Sequence, residues 1–326
     1  MAAERYASPG WQHYAKGNYH QALASFAEEL RSNPQDHQAY YAIGCSYQQL
    51  RMHQQAMESF QKALRLNANL AEAHVGLGWE YAFFRRQEDA IKSFKEAIRV
   101  NPELDDGYFG LGCAYLNEKQ YDTALSTFEQ LVQRNPKSSQ GYRAIGWVHD
   151  NLGNRKQATD AYKQALVVEP DSVDAHVDLA TSHAIWQEYG PALATLKKAL
   201  AIDPKHARAY YALGWTHGRQ ERYKESAEAY KSAAQLAPQN PHYRYALGWT
   251  YEKLKLYRES IEVYGEALRL DRNFKAARQG LERSYDSLQK TDISSVELKT
   301  VLKSMNEKLA SEPAKPKPRT RAEQIN

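Results

Sequence analysis

A fixed interval runs through this chain and constrains it more than any single motif. Prolines stand at Pro34, Pro102, Pro136, Pro170, Pro204 and Pro238, and every gap between them is 34 residues or a multiple of 34. The two vacant steps fall on Ala68 and Arg272. Glycines keep the same interval at Gly10, Gly44, Gly78, Gly112, Gly146, Gly214 and Gly248, with Ala180 filling the one gap. Self-similarity at such a period marks a chain built from stacked copies of one supersecondary unit, each contacting its neighbours. Eight copies follow without insertion, over 3–36, 37–70, 71–104, 105–138, 139–172, 173–206, 207–240 and 241–274.

Each copy reads as two helices. In residues 207–240, Tyr210, Leu213, Gly214 and His217 recur at steps that put them on one helical face. Tyr223, Ala227, Tyr230, Ala233 and Ala234 mark the buried face of a second helix, with Arg219–Arg222 as the turn. Pro238 ends the second helix, because proline has no amide donor and restricts the residue before it. A helix-interior glycine costs about 1 kcal/mol relative to alanine, so the glycine column needs a packing reason. The column Ala22, Ala56, Ala90, Ala124, Ala158, Ala192, Ser226 and Ser260 is the expected small partner surface on the second helix.

Taken together, the length, the Leu-Gly-x-x-Tyr core, the small residue, the large aromatic and the proline resemble the tetratricopeptide repeat family over 3–274. The expected fold is all-α: a solenoid of antiparallel helix pairs, whose right-handed superhelix is implied by the resemblance. After 274, Leu281 and Tyr285 carry the core pattern into a capping helix over 275–290. Ser294 and Glu297 read as a capping box opening a short amphipathic helix within 291–310. The basic, proline-rich stretch 311–326 is expected to be a disordered tail. In the first copy, Ser8 and Pro9 look like an N-cap and first helical residue, which shortens that helix.

Charge and composition exclude several functions. The formal +4 lies entirely in 275–326, where 11 Lys/Arg face 7 Asp/Glu, so 1–274 balances at 32 against 32. A neutral array lacks the clustered cations of a nucleic-acid groove. No apolar run approaches the roughly 18 residues of a membrane span, and MAAERYASPGW carries no secretory stretch, so a cytoplasmic address is expected. Cys45 and Cys113 lie two repeats apart, too far for a disulfide. No phosphate loop, His-Glu-x-x-His or Gly-x-Ser-x-Gly occurs. The expectation is no catalytic residue, no metal and no cofactor. His149, His183 and His217, which take the place of tyrosine in one column, are expected to be core residues.

The candidate site lies one step beyond the glycine, off its buried face. That column reads Trp11, Cys45, Trp79, Cys113, Trp147, Thr181, Trp215 and Trp249. Four residues earlier stand Ala7, Tyr41, Val75, Phe109, Arg143, Val177, Tyr211 and Tyr245. The resemblance implies that this stripe lines a concave surface that grips peptides. Tyr41, Trp79, Phe109, Arg143, Trp147, Tyr211, Trp215, Tyr245 and Trp249 are the candidate partner-binding residues. Twenty-three tyrosines against eight phenylalanines suit rings with one wet end. The partner expected is a protein or peptide with apolar or aromatic anchors, and Glu4, Glu72, Asp106 and Asp174 suggest some basic character in it. Chaperone-binding members of the family hold a terminal carboxylate with lysine, asparagine and arginine on this stripe; here only Arg143 matches. The same rings also suit stacking between adjacent repeats. The functional readings are a protein-interaction scaffold first, then a self-associating, homo-oligomeric array, then a regulatory subunit of an enzyme. The sixth repeat, with Asp178, Ala180 and Thr181, interrupts the stripe.

Overall fold

The computed structural model describes residues 8–291, which hold 17 helices and no strand. The amphipathic helix expected within 291–310, the tail 311–326, and Glu4 and Ala7 lie outside them. The helices alternate in pairs: α1 (Pro9–Ala15) and α2 (Tyr19–Ser32), α3 (His37–Gln49) and α4 (His53–Leu66), α5 (Ala71–Phe83) and α6 (Gln87–Val100), α7 (Asp105–Asn117) and α8 (Tyr121–Arg134). There follow α9 (Ser139–Leu152) and α10 (Arg155–Val168), α11 (Val173–Ile185) and α12 (Tyr189–Ile202), α13 (Ala207–Arg219) and α14 (Tyr223–Leu236), α15 (Pro241–Lys253) and α16 (Tyr257–Leu270), and finally α17 (Lys275–Thr291). The 34-residue interval is the sum of a 13-residue first helix, a turn, a 14-residue second helix and a link, as in 37–70. The first helix is cut to 7 residues behind Ser8 and Pro9.

Both ends of each pair are set by local chemistry. The first helix closes on a left-handed residue, at Gly17 and Gly153 but also at Arg51, Arg85, Lys119, Gln187, Glu221 and Lys255, where φ is 57–62°. In the second repeat the Met52 N–H donates to the Tyr47 carbonyl at 2.9 Å and the Arg51 N–H to Gln48 at 3.0 Å, the paired bonds of a Schellman cap. In six of the eight repeats the second helix ends where an Asn or Asp side chain takes over from the backbone, the exceptions being Glu169 and Ala237. Asn67 Oδ1 accepts from the Asn69 N–H at 3.0 Å, Asn101 from Glu103 at 3.1 Å and Asp203 from Lys205 at 2.9 Å. Each is an Asx turn, and Pro34, Pro102, Pro136 and Pro204 sit inside such turns, whereas Pro170 and Pro238 follow Glu169 and Ala237.

The core of six of the eight repeats is one ring gripped by glycine. A Cβ built on Gly44 would stand 2.6 Å from the Phe60 ring, and one on Gly76 of the next repeat also 2.6 Å from it. Phe94 is held in the same way between Gly78 and Gly110, and Tyr264 between Gly248 and Gly280. This corrects the sequence expectation of what faces the glycine: its missing side chain is replaced by the aromatic of the second helix, not by the small column. The small residues are fully buried beside the glycine backbone instead. Ser226 Oγ donates to the Gly214 carbonyl at 2.7 Å, and Ser260 Oγ to that of Gly248 at 2.8 Å. The sixth repeat makes a compensated exchange, since Ala180 adds a methyl where Leu196 replaces the ring, and both are fully buried.

The chain divides into two compact units, one ending at Leu152 and the other starting at Gly153. Within each, first helices of successive repeats touch directly, α3 on α5 and α5 on α7 in one, α11 on α13 and α15 on α17 in the other. Among the described residues second helices make no comparable contact with one another. Within each unit the first helices are thus the more closely contacting layer. In the second unit α17 closes the stack, with Ala277 and Leu281 packed on Tyr264, Ala267 and Leu268.

Candidate functional site

The stripe on the first helices is built from half-buried rings. Tyr41, Trp79, Trp147, Tyr211, Trp215, Tyr245 and Trp249, with Arg143, are each partly exposed on a first helix. Helical spacing puts the ring four residues before the tryptophan on the same face.

In the first unit the indoles also join repeats. Trp79 meets Phe94 of its own repeat edge-on at 5.2 Å and leans on Phe109 of the next at 6.2 Å. Trp11 does the same with Phe26 at 5.5 Å and Tyr41 at 6.4 Å. Phe109, closed in by Trp79 and by Phe128 at 5.9 Å, is only 3% exposed. Its selection as a partner anchor is therefore corrected: its ring is spent on the core. Cys113, in the tryptophan column, is 4% exposed and lies equally deep.

In the second unit Trp249 likewise meets Tyr223 of the preceding repeat edge-on at 6.1 Å. Tyr211 packs on Tyr230 at 5.3 Å and Tyr245 on Tyr264 at 5.8 Å, and burial pushes the Tyr211 phenol above its ordinary value. Each carries one more ring that other repeats lack: Tyr243 stacks on Tyr211 at 5.0 Å and Phe274 meets Tyr245 at 5.1 Å. Tyr243 occupies a column otherwise filled by Ala39, Ala73, Gly107, Gly141, Ala175, Ala209 and Ala277. The two indoles hold cations of their own helices. The Arg219 guanidinium lies 5.7 Å from the Trp215 ring and the Lys253 ammonium 5.2 Å from that of Trp249.

Charge on the stripe is partly consumed within the fold. Arg208 donates to Asp174 at 3.0 Å and also reaches Asp178, while His206 lies 3.6 Å from Asp174. Burial works to lower the Arg208 pKa, but the two carboxylates outweigh it and hold the guanidinium well above its ordinary value. Asp174 is thus engaged by the next repeat. Asp178 stands where other repeats have Gly76, Gly110, Ala212 or Ala246, a departure legible in the sequence although its partner was not. A second hidden pair lies in the first unit: Glu80, 1% exposed, accepts from Gln48 at 2.9 Å and lies 2.9 Å from His53 Nδ1. His53 in turn stacks on Phe83 at 3.6 Å.

The histidine column is packed. His183 Nδ1 is 2.7 Å from Glu188, which also takes Arg155. Burial lowers the pKa of His149 and of His217. Among the described residues no group of three or more His, Cys, Asp or Glu is placed to hold a metal ion, and no helix is long and apolar enough to cross a membrane.

Comparison with known proteins agrees with this geometry. Family models for the tetratricopeptide repeat match 37–70, 71–104, 106–138 and 143–207, and that for anaphase-promoting complex, cyclosome, subunit 3 matches 185–267. No curated protein matches in sequence. Yeast Tom70 superposes with a TM-score of 0.71 at 15% identity, covering 94% of this chain and 64% of that one. A tetratricopeptide repeat protein from Parabacteroides merdae gives 0.64 at 18%, covering 76% and 98%. The hetero-tetramer Cut9-Hcn1 of the APC/C gives 0.58 at 16%, covering 82% of this chain but only 52% of that chain, so the chain spans about half its length. The glycine-clamped ring, the helix pairs and these matches together place the chain in the tetratricopeptide repeat family.

Proposed function

We propose that the chain is a non-catalytic scaffold that binds a segment of a partner protein along the stripe on the first helices. The carrying observation is the half-buried rings on the first helices of each unit, Tyr41, Trp79 and Trp147 with Arg143 in the first, and Tyr211, Trp215, Tyr245 and Trp249 in the second. Each indole keeps an exposed part while its other edge is fixed by the core, and a rigid aromatic surface loses little entropy when a partner covers it. The match to a subunit of a multiprotein complex over 185–267 favours assembly work over catalysis. A peptide-display library panned on the full chain tests this. Clones with aromatic or aliphatic anchors are expected, and enrichment should vanish on the Trp215→Ala, Trp249→Ala variant. Enrichment that persists on that variant rejects the site.

A second reading applies to the first unit, where Trp11 and Trp79 lean on rings of the following repeat. There the rings serve as joints between repeats, and their truncation lowers stability rather than binding. Sedimentation of the full chain separates either reading from a self-associating array, which would not remain monomeric on dilution.

A further inference from the structure

We infer that the last two repeats select an acidic partner segment, with Arg219 and Lys253 as the selecting charges; this rests on the binding stripe proposed above. Four residues beyond the tryptophan column stand Ala15, Gln49, Phe83, Asn117, Asn151, Ile185, Arg219 and Lys253, so cations appear only at its end. Both are exposed, and each lies against an indole of its own helix. Among the described residues neither forms an ion pair, whereas the nearby Glu225 and Glu252 are occupied. Glu225 holds Arg222 at 2.7 Å, and Glu252 holds Arg283 at 3.0 Å while accepting from the Tyr264 hydroxyl at 3.0 Å.

A cation resting on an indole keeps its charge available on the outer side, and a carboxylate arriving there meets a partly desolvated partner beside an apolar surface. The aromatic floor is also largest here, because Tyr243 and Phe274 extend Tyr211 and Tyr245. Arg219 and Lys253 sit at the same register of first helices one repeat apart, and a helix with its side chains is about 10–12 Å across, a step that an extended chain at about 3.3 Å per residue covers in about three residues or more. The fitting segment therefore has carboxylates three residues apart with apolar side chains between them. This differs from recognition of a chain-terminal carboxylate, since the charges lie beyond the tryptophan column and none of the contacts needs a free C-terminus.

The test uses the full chain and two fluorescein-labelled, C-terminally amidated peptides, Glu-Leu-Phe-Glu-Leu-Phe-Glu and the same sequence with lysine for glutamate, read by anisotropy. The acidic peptide is expected to bind at least tenfold tighter, with the difference shrinking as salt rises. Arg219→Gln with Lys253→Gln should remove the preference without changing the melting temperature, and Trp215→Ala with Trp249→Ala should weaken both peptides. Equal binding of the two peptides, both lost in the tryptophan variant, overturns the charge selection and leaves the stripe intact. Acidic preference that survives Arg219→Gln with Lys253→Gln also overturns it. Undiminished binding to the tryptophan variant rejects the stripe itself, and failure of both peptides to bind the parent overturns the inference.

Discussion

Gly112 and Phe128 show how little tolerance the core has. A Cβ on Gly112 would meet the buried Phe128 ring at 2.4 Å, with no flexible end to move aside. Gly112→Ala should cost about 1–3 kcal/mol by overpacking. The sixth repeat already contains the remedy, Ala180 opposite Leu196. Gly112→Ala combined with Phe128→Leu should therefore be more stable in urea than the sum of the two single changes; simple additivity would contradict the clamp. Glu80 is a second residue-scale test. His53→Phe keeps a ring on Phe83 but leaves the buried carboxylate with Gln48 as its remaining donor, a loss of about 2 kcal/mol. Glu80→Thr, matching Thr216 and Thr250 of the same column, should recover most of that loss in the double variant. No recovery would mean that the pair is not the cause.

At the level of elements, the period made the helix pairs legible, because every copy must repeat the same caps to stay in register. The left-handed residue closing each first helix was not legible, since six of the eight positions carry charged or polar side chains rather than glycine. Lys119→Gly should be close to neutral, strain relief of about 1 kcal/mol offsetting the entropy of a more flexible unfolded chain. Lys119→Val should destabilise clearly, because a β-branched residue resists that conformation. Equal effects would argue against the cap. The depth of each ring was equally hidden: Phe109 and Tyr41 share a column, but Phe109 is buried between Trp79 and Phe128 while Tyr41 stays partly exposed. Likewise Arg208 and Asp178 are 30 residues apart, and only the stacking of α11 on α13 reveals their contact. The histidines add a pH dependence. His149 and His217 have pKa values lowered by burial, so the unfolded chain takes up protons first as pH falls through the ordinary histidine range. Stability should be full above about pH 6.5 and decline below it. His149→Tyr with His217→Tyr, following Tyr47 and Tyr251 of that column, should flatten the decline measured by melting between pH 7 and 5.

For the whole molecule, stability is a sum over repeats and their contacts, so the ends matter more than their length suggests. The capping helix α17 places Gly280 against Tyr264 and buries Leu281 and Leu288. Ending the chain at residue 274 should remove more helical signal by circular dichroism than the 17 residues of α17 account for, because the repeat beneath it frays. A loss equal to that helix alone would contradict the dependence. The central claim is that the half-buried rings of the last repeats are held by the fold for a partner. Aromatic anchors at interfaces commonly carry about 2 kcal/mol or more each. The most direct measurement compares, for Trp215→Ala with Trp249→Ala, the affinity for a library-selected peptide and the melting temperature in the same preparation. The account predicts well over a tenfold loss of affinity with helical content and melting nearly unchanged; a collapse of stability with normal binding by the protein that remains folded would contradict it.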